Sequence, residues 1–388
     1  MKTHGTHLIT GATGLVGAAL ALELLAVTGD EIIAVVRGRD AAEATVRLHC
    51  ALSSAAEDFG EIDLLPDILQ RTRAVPGDIL APGCGVPVTQ CAGVTHVWHS
   101  AASLRYENEH AAEIHALNVA GTEHVLELVR ALGGPQLNYV STCYVAGRRT
   151  GRQYETLVET TEFANNVYEE SKILAEQRVA GSSADWRILR PSIVVGHAGS
   201  GAVTTFSGLY GFASALLKFR QGTEPALGHL MRHRRIPVRF EPDTESNFVP
   251  VDLVARNGVA VGLRGEASTV YHLANAESPT VQQVLEITFP WAGLRAPRPV
   301  SDRRELTAVD DILDRAMDFY GSYMKYGKSF DLSNTESVVG KPGTGSPMGA
   351  ERVAELLEWY RLRIAADGRT SFPGKSAFAY IEPAPAQA

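Results

Sequence analysis

The chain has 388 residues, 45% hydrophobic and 21% charged, the make-up of an ordinary soluble globular protein with room for two domains or one large elaborated one. A formal net charge of −8 argues against nucleic acid as a general partner. Cys50, Cys84, Cys91 and Cys143 show neither a C-x-x-C pair nor zinc-like spacing, which points to a reducing compartment, and no His/carboxylate spacing demands a metal. The start reads as strand and helix instead of a signal peptide, and no apolar run approaches the roughly 18 residues of a membrane span. The expected location is therefore the cytoplasm.

Leu8, Ile9 and Thr10 form a short β-type run that turns over glycines into the Ala- and Leu-rich run 18–27, a helix. Strand, Gly-rich turn and helix in that order make a phosphate site at a helix N-terminus. Gly11 permits the turn, Gly14 lets a pyrophosphate approach the backbone, and Gly17 lets the helix pack on the strand. Residues 31–36 (EIIAVV) read as a buried parallel strand ending in Arg37-Gly38-Arg39-Asp40. An acidic residue taking the ribose 2′-hydroxyl is usual about 20 positions after the glycines. Arg37 stands there instead, with Arg39 beside it; guanidinium suits a 2′-phosphate and favours NADPH, with Asp40 the counter-indication.

Residues 40–70 read as helical and 71–75 as the third strand, ending in Pro76-Gly77-Asp78-Ile79. The fourth strand, 94–99, runs into Ser100, Ala101 and Ala102, small residues that let a cofactor lie at the strand end. A helix from about His110 to Leu132 contains Asn118, whose amide is either a brace for the site or a surface group. The fifth strand, 137–142, ends in Ser141-Thr142. A polar loop to about 161, a helix over 165–176 and a sixth strand, 186–191, complete a doubly wound α/β core. Beyond 195 the alternation loosens, with an apolar segment at 209–219, a strand at Tyr271–Ala274, and helices near 304–320 and 348–364. The expected division is a Rossmann-type core over 1–195, a smaller substrate-binding region over 196–370 that returns to the core, and a loose tail over 371–388.

Tyr168 and Lys172 are four apart, so on a helix they share a face. An ammonium there should draw the phenol down from its usual pKa near 10 and make it a general acid. Thr142 can hydrogen-bond a carbonyl oxygen gaining negative charge. Thr142, Tyr168 and Lys172 are thus the expected catalytic set. His99 and His197 are expected to line the cleft without moving protons. The basic stretch Arg232, Arg234, Arg235, Arg239 is either a phosphate-binding patch or a charged strand edge.

GATGLVG, the Ser141-Thr142 strand end and the Tyr168/Lys172 pair together resemble the extended short-chain dehydrogenases/reductases. YVSTCYVAG, WHSAASLRYENEHAAEIHALNVAGT, ILRPSIVVGH and NFVPVDLVA are similar to one branch, the fatty acyl-CoA reductases and terminal thioester-reductase domains. The resemblance covers about residues 6–275 and extends weakly to YMKY (323–326) and FDLSNT (330–335). No adenylation or carrier domain accompanies it here, and beyond 285 the match is less clear. It implies an NADPH site at Gly11, Thr13, Gly14, Leu15, Val16, Gly17, Arg37, Arg39, Asp78, Ile79, Ser100, Ala101, Ala102, Asn118, Tyr168, Lys172, Pro191 and Ile193, with Asp78 at the adenine edge. It also implies reduction of an acyl or peptidyl thioester, carried on CoA or a carrier protein, to an aldehyde and onward to an alcohol. The alternatives are another extended-family enzyme (a ketone or aldehyde reductase, a sugar-nucleotide epimerase or dehydratase) and a non-catalytic NADPH-binding protein.

Overall fold

A computed structural model describes residues 5–227 and 230–366. By internal contact the chain forms two interleaved compact units. One comprises the residues up to Thr205, Asn247–Ala276 and Ser329–Ser346; the other comprises Phe206–Ser246, Glu277–Lys328 and the segment from Pro347. The expected tail, 371–388, lies outside the described residues.

The first unit opens with β1 (Thr6–Thr10), α1 (Leu15–Val27), β2 (Glu31–Val36), α2 (Ala41–Phe59), α3 (Leu65–Arg71) and β3 (Thr72–Pro76). The stretch 40–70, which reads as helical, forms two helices. Gly60 adopts a left-handed φ of 82° and closes α2, and Pro66 opens α3 within its first turn. There follow β4 (Val94–His99), α4 (Ala111–His115), α5 (Gly121–Ala131) and β5 (Gln136–Val140). A π-helical turn, Ala116–Ala120, joins α4 to α5 and carries Asn118. Next come the short β6 (Gly151–Gln153), a strand inside the stretch whose polar sequence suggests only a loop, then α6 (Val167–Ala180), β7 (Trp186–Pro191) and β8 (Ile193–Val195).

Seven parallel strands make one sheet, in the order Thr269–Leu273, β7, β5, β4, β1, β2, β3. Its seventh strand comes from beyond residue 247, delivered by the helix Val251–Arg264, which packs on α1. The sheet is buried on both faces, as parallel sheets are. Leu8, Ile33, Val97, Leu137 and Ile188 are fully buried within one core. Strand order reverses between β1 and β4, with Thr10 opposite His99, so the loops after these strands open a crevice at the sheet's C-terminal edge.

The second unit has its own core, built on Phe219, Ile236, Leu285 and Phe289 around the parallel strand pair Arg235–Arg239 and Arg295–Val300. Among the described residues no helix is long and apolar enough to cross a membrane.

Candidate active site

The glycine turn follows β1. Gly11 has φ +77°, and a Cβ there would sit 2.6 Å from the Ala101 amide nitrogen; a Cβ on Gly17 would sit 2.1 Å from the Gly11 carbonyl oxygen. Both positions are closed to any side chain. Gly14 differs, because its nearest obstacle would be 3.4 Å away. Thr13 and Gly14 are exposed, and Gly14 caps α1 with no side chain over the helix end and no acidic residue in the first turn. The amides of Leu15 and Val16 have no backbone acceptor among the described residues. An uncapped helix end facing open space is an anion cradle.

Beyond β2 the two arginines separate. Arg39 is tied to Glu43 by its Nε at 2.8 Å and its backbone N at 3.0 Å. Asp40 caps α2, accepting from the Glu43 amide at 2.8 Å, so its carboxylate is occupied. Arg37 is exposed and forms no ion pair among the described residues. Arg47 on α2, which no sequence signal singles out, donates from Nη1 to the Arg37 carbonyl. The Asp78 carboxylate accepts the Leu80 amide at 3.0 Å, and Ile79 is buried with its carbonyl on the His124 ring. Ser100, Ala101 and Ala102 are half-buried just past β4; Pro191 is buried at the end of β7, and Ile193 opens β8.

A buried hydrogen-bond chain stiffens the switch point. Thr10 Oγ1 lies 2.7 Å from His99 Nδ1, His99 Nε2 lies 3.1 Å from Thr122 Oγ1, and that hydroxyl donates to the Asn118 carbonyl at 2.7 Å. Thr122 therefore accepts from Nε2–H, and Nδ1 accepts from Thr10. Burial, with Lys172 nearby, pushes His99 down to about 3, so it stays neutral. His197 stacks on Phe59 and accepts the Gly199 and Ser200 amides, which occupies it in its own turn.

Asn118 is fully committed. Its Oδ1 accepts the Ser103 amide at 2.7 Å, and Nδ2 donates to the Ser103 carbonyl and to Ser171 Oγ. It joins the loop after β4 to α6, so the structure gives it bracing contacts.

Asn166 caps α6 by accepting the Glu169 amide at 2.9 Å, which starts the helix one residue before Tyr168. Lys172 is 2% exposed; its Nζ donates to the Val140 carbonyl at 2.8 Å and lies 4.5 Å from the Tyr139 ring centre. That bond fastens α6 to the end of β5, immediately before Ser141-Thr142. Thr142 lies past the strand, not within it, and its Oγ1 accepts the Tyr144 amide at 3.2 Å. The buried hydroxyls of Ser141 and Ser192, beyond neighbouring strands, have no partner among the described residues. The expected lowering of the Tyr168 phenol does not occur: burial, reinforced by Glu169, raises it. The reason is that Lys172 is itself desolvated, down to about 7, and spends its bond on Val140.

Of the two readings of the basic stretch, the contacts favour the structural one. Arg234 pairs bidentately with Asp310 and Arg239 with Asp314, while Arg235 donates to the Ala296 and Pro297 carbonyls. These guanidiniums hold their own unit together and are not free for phosphate. The side chain of Arg232 is outside the described residues. Sequence reasoning also misses Glu176 and Arg190, a buried ion pair on α6 and β7; Glu176 stands four residues after Lys172, a spacing open to inspection.

Residues 9–257 match the model of a NAD-binding family described as "Male sterility protein". The chain is 30% identical over 183 residues (44% of its length, 3% of the relative's) to a component of the linear gramicidin synthase of Brevibacillus parabrevis. It is 34% identical over 145 residues (36% of its length, 9% of the relative's) to the isonitrile lipopeptide synthase of Streptomyces coeruleorubidus. It thus spans a small part of these curated relatives. Among solved structures, the terminal R domain from the myxalamid PKS-NRPS biosynthetic pathway superposes with a TM-score of 0.72 at 22% identity, over 96% of this chain and 93% of that one. With a family match over most of its length and the glycine cradle to go with it, the chain belongs to the NAD-binding family described as "Male sterility protein".

Proposed function

We propose that the protein is an NADPH-dependent reductase that converts an acyl or peptidyl thioester, presented on CoA or a carrier protein, to the aldehyde and then the alcohol. The observation that carries this reading is the Lys172–Val140 bond, which fastens the Tyr168/Lys172 helix to the strand end bearing Thr142, beside an open glycine cradle. The relatives named above, two peptide synthetases and a reductase domain of a polyketide–peptide pathway, support the substrate class.

The residues fit the cofactor. The uncapped end of α1 at Gly14 suits a pyrophosphate, and Arg37, which forms no ion pair among the described residues, suits a 2′-phosphate, with Asp40 spent on its helix. The partnerless hydroxyls of Ser141 and Ser192 are where a carboxamide could bond. When bound, the nicotinamide supplies the hydride for each two-electron step. Thr142 and Tyr168 hold the substrate oxygen; at the thioester the tetrahedral adduct collapses with cleavage of its C–S bond, releasing the thiol and leaving the aldehyde, and at the aldehyde Tyr168, whose phenol burial keeps protonated, gives its proton to the oxygen as it becomes an alkoxide, leaving the alcohol. Lys172 holds the ribose and supplies positive charge behind the phenol. Asn118 fixes α6 against the loop after β4. The cytoplasm, where NADPH is at hand, is the location this reading implies.

Tyr168→Phe tests the assignment. NADPH consumption is followed by absorbance with an acyl-CoA, an N-acetylcysteamine thioester and the free aldehyde, with products identified. Turnover should fall by about 100-fold or more, with NADPH affinity little changed. Near-normal turnover would sink the proposal.

A further inference from the structure

Behind Lys172 lies a set of buried charges that the reduction, as described, leaves unused. Glu176 stands one turn further along α6, 1% exposed, and its two oxygens accept from Arg190 Nε at 2.8 Å and Nη2 at 2.6 Å. Arg190, on β7, is 2% exposed. Its Nη1 lies 3.4 Å from His272 Nε2, and His272 Nδ1 lies 2.8 Å from the Asp331 carbonyl oxygen. A carbonyl only accepts, so Nδ1 carries the proton and Nε2 turns its lone pair to the guanidinium. Burial and the Arg190 charge hold His272 down to about 3, so the ring keeps that neutral form. The FDLSNT segment is thereby joined to the chain of contacts.

Stability alone gives little reason to keep such a pair. Taking two charges out of water costs about as much as their attraction returns, and well-packed apolar residues commonly serve as well. Its position suggests a use. Lys172 is buried over the Tyr139 ring, and residues four apart on a helix share a face, which puts the buried Glu176 one turn along the face of α6 that carries Lys172. Burial pulls Lys172 down to about 7, and Glu176 is the charge that opposes it. The other titratable groups around Lys172 do not do this. Tyr168 on α6 and Tyr139 on β5 have raised phenols and stay neutral, and His99 on β4 is neutral. Glu169 is bound to Asn165 at the start of the helix, and Arg190 is a cation. Glu176 is the anion that remains.

We propose that Glu176 is a positioning residue for the reduction: clamped by Arg190, which His272 orients, its carboxylate is the fixed counter-charge that keeps Lys172 an ammonium at the strand end beside Thr142. The proposal rests on the catalytic roles assigned to Tyr168 and Lys172. Without the carboxylate Lys172 loses its proton at lower pH, and both its charge behind Tyr168 and its hold on the ribose go with it.

The test is the pH dependence of two readouts in Glu176→Gln: kcat for thioester reduction, and NADPH affinity by fluorescence of the bound nucleotide. The alkaline limb of both should move to lower pH by about one unit, and Glu176→Asp, which keeps the charge, should restore most of the shift. A folded Glu176→Gln protein whose profiles overlay the parent's, with any loss uniform across pH, would overturn the proposal. Glu176→Gln leaves Arg190 buried without its partner and can fail to fold, so Glu176→Gln/Arg190→Met is made alongside. With both charges replaced it should fold and still show the acid-ward shift, because Glu176, and not Arg190, is the charge that acts on Lys172; an unshifted profile there overturns the proposal equally. A parent protein with no thioester turnover would sink the proposed function, yet the NADPH-affinity profile would still decide the role of Glu176.

Discussion

At the scale of single residues, the arginines after β2 show how local contacts separate two side chains that spacing leaves equivalent. Arg37 and Arg39 look equivalent in sequence, and Asp40 counts against a 2′-phosphate. The structure hands Arg39 to Glu43 and Asp40 to the α2 cap, leaving Arg37 as the guanidinium without an ion-pair partner among the described residues. Arg37→Ala should therefore raise the Kd for NADPH by roughly 10- to 100-fold, as expected for a lost charge-assisted contact, while NADH binding changes little. Equal effects on both nucleotides would assign Arg37 a general role, and no effect on either would remove it from the site. The glycines, by contrast, are legible in the sequence, because the reason each is required is backbone geometry local to a seven-residue turn.

At the scale of elements, the π-helical turn Ala116–Ala120 is what aims Asn118 inward, and such turns often mark functional positions in helices. An Asn inside a helical stretch is visible in sequence; its partners, Ser103 and Ser171, are not, since they lie 15 residues before it and 53 after. Asn118→Ala should cost about 1–3 kcal/mol by leaving the buried Ser103 amide unpaired, seen as a lower urea midpoint. kcat should fall more than the NADPH affinity, because α6 is loosened from its brace. Unchanged stability would mean that the loop finds other partners. The helix Val251–Arg264 makes the same point from the other side. Its Val- and Gly-rich sequence has poor helix propensity, and burial against α1 forms it.

For the whole molecule, the buried histidines set the response to acid. Burial pushes His99 and His272 down to about 3 and His96 to about 4, and lowers His7. The unfolded chain takes up these protons near pH 6.5, and the folded chain takes them up only well below that. The unfolded state thus binds more protons, and stability is full above pH ~6.5 and lost as the pH falls toward the folded values. At pH 5 the cost is about 2 kcal/mol for each of His99 and His272. The carboxyls of Glu23, Glu61 and Glu155, raised by burial, work the opposite way as the carboxylate range is approached. Urea midpoints should fall from pH 8 to pH 5, with a flatter slope in His272→Gln; a midpoint constant over that range would contradict the burial of these rings.

By itself the sequence determined the doubly wound core and the dinucleotide turn, and it put forward Thr142, Tyr168 and Lys172 as the residues to test, because each is written in a turn, a strand end or four residues of helix. Only the tertiary structure decided which charges are free. Among the described residues Arg37 forms no ion pair and Arg39 does; Arg234 and Arg239 are paired by Asp310 and Asp314, more than 70 residues further on; and the Lys172 ammonium answers to burial and to Glu176. A side chain's charge is chemistry that any sequence displays. Whether that charge is desolvated, and what faces it, depends on residues brought together by folding.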